Sequence, residues 1–230
     1  MNGMGSLLQQ ISVLALPAIF AITLHEAAHG FVAHRLGDDT AWRMGRVTFN
    51  PIRHIDPVGT VIMPMILFLA SGGRFMFGYA KPVPVNFGQL RHPRIDMVWV
   101  AIAGPATNIL LAIVSALLFY LYPYVPALGQ EWFARSLAAS VQFNVLLAIF
   151  NMIPLPPLDG GRVAVGLLPD ALAFPLARTE RYGIFILLAL LVLLPMIGEA
   201  LHTDLNILSY LISYPTEYLI RGISWLTGVS

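Results

Sequence analysis

His25-Glu26-Ala27-Ala28-His29 places two imidazoles four residues apart, with a carboxylate beside the first. At 3.6 residues per turn both histidines fall on one helical face, where they could bind a single zinc ion. Glu26 then stands where a general base could activate water. The preceding stretch, Ile11 to Leu24, contains no charged residue. Ionisable groups in an apolar helix are costly and mark function. These five residues therefore point to metal-assisted hydrolysis within or beside a bilayer. HExxH also occurs by chance in helices, so a third ligand has to be found elsewhere.

Asn151 to Val163, NMIPLPPLDGGRV, supplies one. Pro154, Pro156 and Pro157 stop the preceding helix and force an extended path. Gly160 and Gly161 permit close backbone approach. Asp159 lies between these breakers, just beyond an apolar helix. Irregular backbone near membrane depth is tolerated where it is buried in protein or lines a watery cavity. A carboxylate there is the natural third ligand and leaves a fourth position open. Asp159 could instead cap the next helix or pair with Arg162.

The elements that must position these groups are membrane helices. The 230 residues are 57% hydrophobic and only 11% charged, with a mean hydropathy of +0.75. Soluble domains carry about 25% charged residues, so this chain lacks the polar surface to coat a globule in water. The net charge of +1 suggests no nucleic-acid partner. With no cysteine, disulfides, thiolate metal sites and a cysteine nucleophile are excluded. MNGMGSLLQQ has no positive charge ahead of its apolar run, so the first segment is expected to be a retained helix, not a cleaved signal.

Apolar runs fall at about 7–34, 57–71, 97–121, 137–153, 183–198 and 204–220. A span needs about 20 residues, which makes 57–71, with Pro64 inside it, the short one. The expected fold is an all-α polytopic membrane protein with about five spanning helices and a short re-entrant segment. Small edge β-strands are expected at 44–50 and 74–86, which are rich in β-branched and aromatic residues. The whole chain, 1–230, reads as one membrane-embedded domain, with a catalytic core at about 7–170 and a C-terminal helical hairpin at about 183–221.

Basic residues favour the cytoplasmic side of membrane proteins. If 57–71 dips in and returns, Arg35, Arg43, Arg46, Arg53, Arg74, Lys81, Arg91 and Arg94 share one face. Arg162, Arg178, Arg181 and Arg221 join them after later crossings. Twelve of the thirteen basic residues are then cytoplasmic, with Arg135 outside. A fully spanning 57–71 would put the four basic residues at 74–94 outside, and the three at 162–181 as well. The re-entrant arrangement also brings Asp159 to the same side as the end of the HEAAH helix. At ~1.5 Å per residue, His29 and His25 lie about 9 and 15 Å along the axis from Arg35, inside the hydrocarbon but nearer the cytoplasm.

HEAAH, the downstream GRVTFNPIRHIDPVG, AGPATN at 103–108 and FNMIPLPPLDGGRV at 150–163 together resemble the site-2 protease family of intramembrane zinc metalloproteases. The similarity covers about residues 15–165. It is to the compact members that begin directly with the zinc helix, without PDZ or CBS domains. The resemblance implies His25, His29 and Asp159 as ligands of one Zn2+, Glu26 as general base, and an active site towards the cytoplasm. It also places an asparagine near the active site at the position of Asn151. Asn151, and more weakly Asn108, are candidates to support a substrate backbone or an oxyanion; Asn151 could instead make a helix C-terminal or interhelical hydrogen bond, and Asn108 an interhelical one.

The expected activity is hydrolysis of peptide bonds in transmembrane or membrane-proximal segments, with a membrane-protein substrate and the lipid bilayer as partners. No oligomeric state is assigned. An edge strand from 44–50 or 74–86 could hold the unwound substrate by β-addition. The alternatives are a zinc-binding membrane scaffold without proteolytic activity, or a membrane hydrolase of a non-peptide substrate. Glu26 argues against the scaffold, since a structural site has no need of a base. The expected location is a bacterial or archaeal plasma membrane, with the N-terminus outside.

Overall fold

A computed structural model describes residues 3–70 and 78–229. The first apolar run forms one long helix, α1 (Gly3–Arg35), with Pro17 inside it. Gly37 stops it: its φ of +113° is open to glycine, and the Asp38 N–H reaches back to the Ala33 carbonyl at 2.9 Å. This reversal turns Asp38 inward, where it is fully buried.

A short helix α2 (Thr40–Arg43) follows, then a 3-10 turn at Pro51–His54 whose start is capped by Asn50. Asp56 accepts from the Val58 and Gly59 N–H groups and so opens a π-helical turn that runs into α3 (Met63–Ala70). The apolar stretch Pro57–Leu69 is therefore helical, but at ~1.5 Å per residue it is about 20 Å long, short of a hydrocarbon core of about 30 Å.

The remaining helices are α4 (Pro93–Leu118), α5 (Ala127–Asn151), α6 (Asp159–Leu167), α7 (Asp170–Arg178), α8 (Gly183–Leu188), α9 (Leu194–Ala200) and α10 (Ile207–Thr227). Helices α1, α4 and α5 pack on one another, α10 lies against α5 and α4, and α6 lies against α4. Small residues make the crossings close: Ala112 and Ala116 of α4 meet Val141 and Val145 of α5 and Ile223 of α10. Large apolar side chains face outward, with Leu128 98% and Trp225 85% exposed. Such a surface suits lipid, not water.

Two expectations are revised. Among the described residues, four helical stretches are long and apolar enough to cross a membrane: Gln9–Arg35, Pro93–Tyr124, Ala127–Asn151 and Asp170–Ala200. The last is α7, α8 and α9 joined by 3-10 and π turns. The fifth expected span corresponds to α10, which is 21 residues long but carries Pro215 and the Glu217–Arg221 ion pair, and it falls outside this set.

No β-strand forms among the described residues. Residues 44–50 make turns and bends, and 78–86 is extended without a strand partner; 74–77 lies outside the described residues. The physical reason is where the 78–86 backbone finds its bonds. Tyr79 N–H goes to the Gly59 carbonyl, Lys81 N–H to the His54 carbonyl, Val83 N–H to Glu26 and Asn86 N–H to Asp38. Carbonyls of the two helical turns and two carboxylates take donors that a ladder would have used. Pro82 and Pro84 have none to give.

Candidate metal centre

The HEAAH turn lies in the last third of α1, facing α4. His25 and His29 are both buried, and their Nε2 atoms are 3.1 Å apart. Asp159 opens α6, and its Oδ2 lies 3.2 Å from His25 Nε2 and 3.3 Å from His29 Nε2. The carboxylate reaches them because the chain after α5 folds tightly back. An added Cβ at Gly160 would lie 2.1 Å from the Met152 carbonyl oxygen, so only glycine fits directly behind Asp159. Asp159 makes no side-chain cap on α6, and Arg162 reaches Glu180 instead, at 3.4 Å.

The other nitrogen of each imidazole fixes what these three atoms are. His29 Nδ1 lies 2.7 Å from the Val100 carbonyl, which can only accept, so Nδ1 carries a proton. His25 Nδ1 lies 2.6 Å from Asn108 Oδ1. The Asn108 amide nitrogen donates to Asn144 Oδ1 at 2.9 Å and to the Ala21 carbonyl at 3.3 Å, so its oxygen is the atom that accepts from His25. Neutral imidazoles in these tautomers present bare lone pairs at Nε2. Two such lone pairs and a carboxylate oxygen thus converge in a buried place. Asp159 Oδ2 has no hydrogen-bond partner there. A proton on one nitrogen would serve a single edge of the triangle, whereas a cation at its centre serves all three.

The dimensions suit zinc. Ligands about 2.0 Å from a tetrahedral ion stand about 3.3 Å from one another. The three observed separations are close to that edge, and one carboxylate with two imidazoles is a donor set that zinc accepts. The residues present fit the ion.

Helix α4 shapes the other wall. An added Cβ at Gly104 would lie 2.5 Å from His29 Nε2 and 2.6 Å from His25 Cε1. Gly104 and Asn108 are one turn apart on the same face, so AGPATN gives the imidazoles both room and an acceptor. The sequence left Asn108 between substrate support and an interhelical hydrogen bond. Asn108 is fully buried, and its three polar contacts, to His25, Ala21 and Asn144, are all internal, as the interhelical alternative expects. The pattern of a small residue and an amide four apart in an apolar helix was the available signal.

Asn151 is half-buried at the end of α5, and its amide nitrogen donates to the Leu147 carbonyl of its own helix at 3.0 Å. The structure does not bring it into the cluster. Glu26 is half-buried on the turn beside His25, and its Oε2 accepts from the Val83 N–H at 2.7 Å. Two further residues were missed by sequence reasoning. Asp38 holds the far end of the extended segment through the Asn86 N–H at 2.6 Å, and Arg46 is buried against the Lys81 and Pro82 carbonyls.

Comparison with known proteins gives the same direction. Residues 126–194 match the model of peptidase family M50. A Bacillus subtilis protein named "Putative zinc metalloprotease YwhC" is 40% identical over 186 residues, covering 78% of this chain and 80% of that protein. "Putative zinc metalloprotease Rip2" of Mycolicibacterium smegmatis is 30% identical over 175 residues, covering 76% of this chain and 64% of that protein. "Putative zinc metalloprotease MJ0611" of Methanocaldococcus jannaschii is 29% identical over 169 residues, covering 66% and 79%. No solved structure gives a significant match. With such likeness along most of its length, the chain belongs to peptidase family M50, the site-2 protease family that its motifs resemble.

Proposed function

We propose that this protein is a zinc-dependent intramembrane endopeptidase, cutting peptide bonds in transmembrane or membrane-proximal segments of other proteins. The observation that carries the reading is the triangle of His25 Nε2, His29 Nε2 and Asp159 Oδ2, buried on apolar helices one residue from Glu26. His25, His29 and Asp159 would hold one zinc ion. Bound there, zinc would polarise the scissile carbonyl and make water more acidic. Glu26 accepts a proton from the attacking water as the new C–O bond forms, then delivers it to the amine nitrogen as the C–N bond breaks. The Asn108 and Val100 contacts hold both imidazoles with Nε2 turned towards Asp159. The active site lies towards the cytoplasmic face, and water and the unwound substrate reach it from that side.

The extended segment 78–86 offers little for β-addition of a substrate. Its donors at 79, 81 and 83 are used inward, and Pro82 and Pro84 have no N–H. A substrate laid along 78–86 would therefore find few main-chain donors there.

Incubation of the purified protein with single-span substrates, comparing wild type with Glu26→Gln, tests the reading. Wild type should cleave, Glu26→Gln should retain zinc and lose cleavage by orders of magnitude, and chelation should abolish wild-type activity. Equal cleavage by both zinc-loaded proteins would reject the mechanism.

A further inference from the structure

The GRVTFN stretch around Arg46 has no part in the ligand set or the base. Arg46 nevertheless is 6% exposed, and among the described residues it has no carboxylate partner. Its Nη2 donates to the Lys81 carbonyl at 2.8 Å and to the Pro82 carbonyl at 3.3 Å, and its buried Nε has no hydrogen-bond partner. A guanidinium desolvated at this cost, with carbonyls alone to compensate it, calls for a reason.

The Pro82 carbonyl and the Val83 N–H belong to one peptide unit. Its oxygen faces the Arg46 cation, and its N–H donates to the Glu26 carboxylate at 2.7 Å. Opposite charges thus sit at the two ends of one peptide dipole, and each polarises the unit in the same sense. Hydrogen bonds in such a chain strengthen one another, more so in poorly solvated surroundings. The register is forced as well. Pro82 and Pro84 flank Val83, so a slip by one residue in either direction would offer Glu26 no N–H at all. Val83 itself is buried, its methyl group packed where Gly30 leaves room.

We propose that Arg46 is a positioning residue for Glu26, acting through the Pro82–Val83 peptide to fix the carboxylate's orientation. This rests on Glu26 being the general base, but the coupling itself can be read without activity or metal. Selective labelling with 15N-valine gives the Val83 amide proton, assigned through Val83→Ile, in zinc-free protein. The strong bond to Glu26 should hold that proton downfield. Arg46→Gln should move it upfield, as should Glu26→Ala, and the two shifts should be less than additive in the double variant. In the cleavage assay Arg46→Gln should lower kcat about ten-fold, the scale of one charge-assisted hydrogen bond, with KM and zinc content unchanged. Arg46→Lys keeps a cation near the carbonyls and should recover part of that loss, which also guards against a glutamine variant that folds poorly.

An unmoved Val83 resonance in Arg46→Gln would overturn the proposal. So would a cleavage rate per zinc-loaded molecule equal to wild type. If the wild type cleaves no peptide while the Val83 shifts couple as stated, the endopeptidase reading fails and the Arg46–Glu26 coupling stands.

Discussion

At the scale of single residues, the His25–His29–Asp159 triangle depends on groups behind the imidazoles. Asn108 decides which nitrogen of His25 is bare, and Val100 does the same for His29 through its carbonyl. Partners of this kind contribute about 10–100-fold to metal affinity. Asn108→Ala is therefore expected to weaken zinc binding by about that factor, measured by competition with a chromophoric chelator, while His25 and His29 stay in place. Affinity within two-fold of wild type would show that His25 is oriented without it. Gly104→Ala tests the opposite wall. Its methyl group would overlap both imidazoles, so the purified protein should come without stoichiometric zinc by elemental analysis. Full occupancy in that variant would mean that α4 can move away from α1 at little cost.

At the scale of elements, α6 carries Asp159 and must be held at the right height against α4. Arg94 near the start of α4 does this from the far end. Its Nε donates to the Gly166 carbonyl at 3.0 Å, its Nη1 pairs with Asp170 at 2.8 Å, and its Nη2 reaches the Leu168 carbonyl. These groups are half-exposed, so Arg94→Ala should cost about 1–2 kcal/mol, seen as a lower Tm in detergent, with reduced zinc affinity as α6 loosens. An unchanged Tm and affinity would remove Arg94 from the account. The extended 78–86 segment is the second positioning element. Asp38, turned inward by the glycine stop after α1, grips one end, and Arg46 grips the middle. The prolines that suggested an edge strand are what make this segment a strap, since they leave Val83 as the donor opposite Glu26.

At the scale of the whole molecule, the arrangement of spans is open to a direct test. The chain has no cysteine, so single introduced thiols can be labelled without background. Leu128→Cys, at the exposed start of α5, should react with a membrane-impermeant reagent from outside intact cells. Arg53→Cys and Arg91→Cys, which flank the short helical stretch Pro57–Leu69, should both be shielded until the membrane is opened. Labelling of Arg53→Cys and Arg91→Cys from opposite sides would mean that this stretch crosses the bilayer despite its length.

The sequence by itself determined the membrane character and singled out His25, His29 and Asp159 as candidate ligands and Glu26 as candidate base. HEAAH is a local pattern, because four residues on a helix place two side chains on one face whatever surrounds it. Asp159 was legible because prolines and glycines mark a break in an apolar chain, and charge counting put that break on the same side as HEAAH. Peptide-level preferences stop there. That 44–50 would bend, that 78–86 would bond to carboxylates instead of a strand, and that Asn108 would face His25 while Asn151 bonded to its own helix depended on partners 36 to 87 residues away or on competition within one turn. A hydrogen-bond donor goes to the best acceptor within reach. Only the tertiary structure decides which acceptors those are, and it sets Arg46 and Glu26 at the two ends of a single peptide.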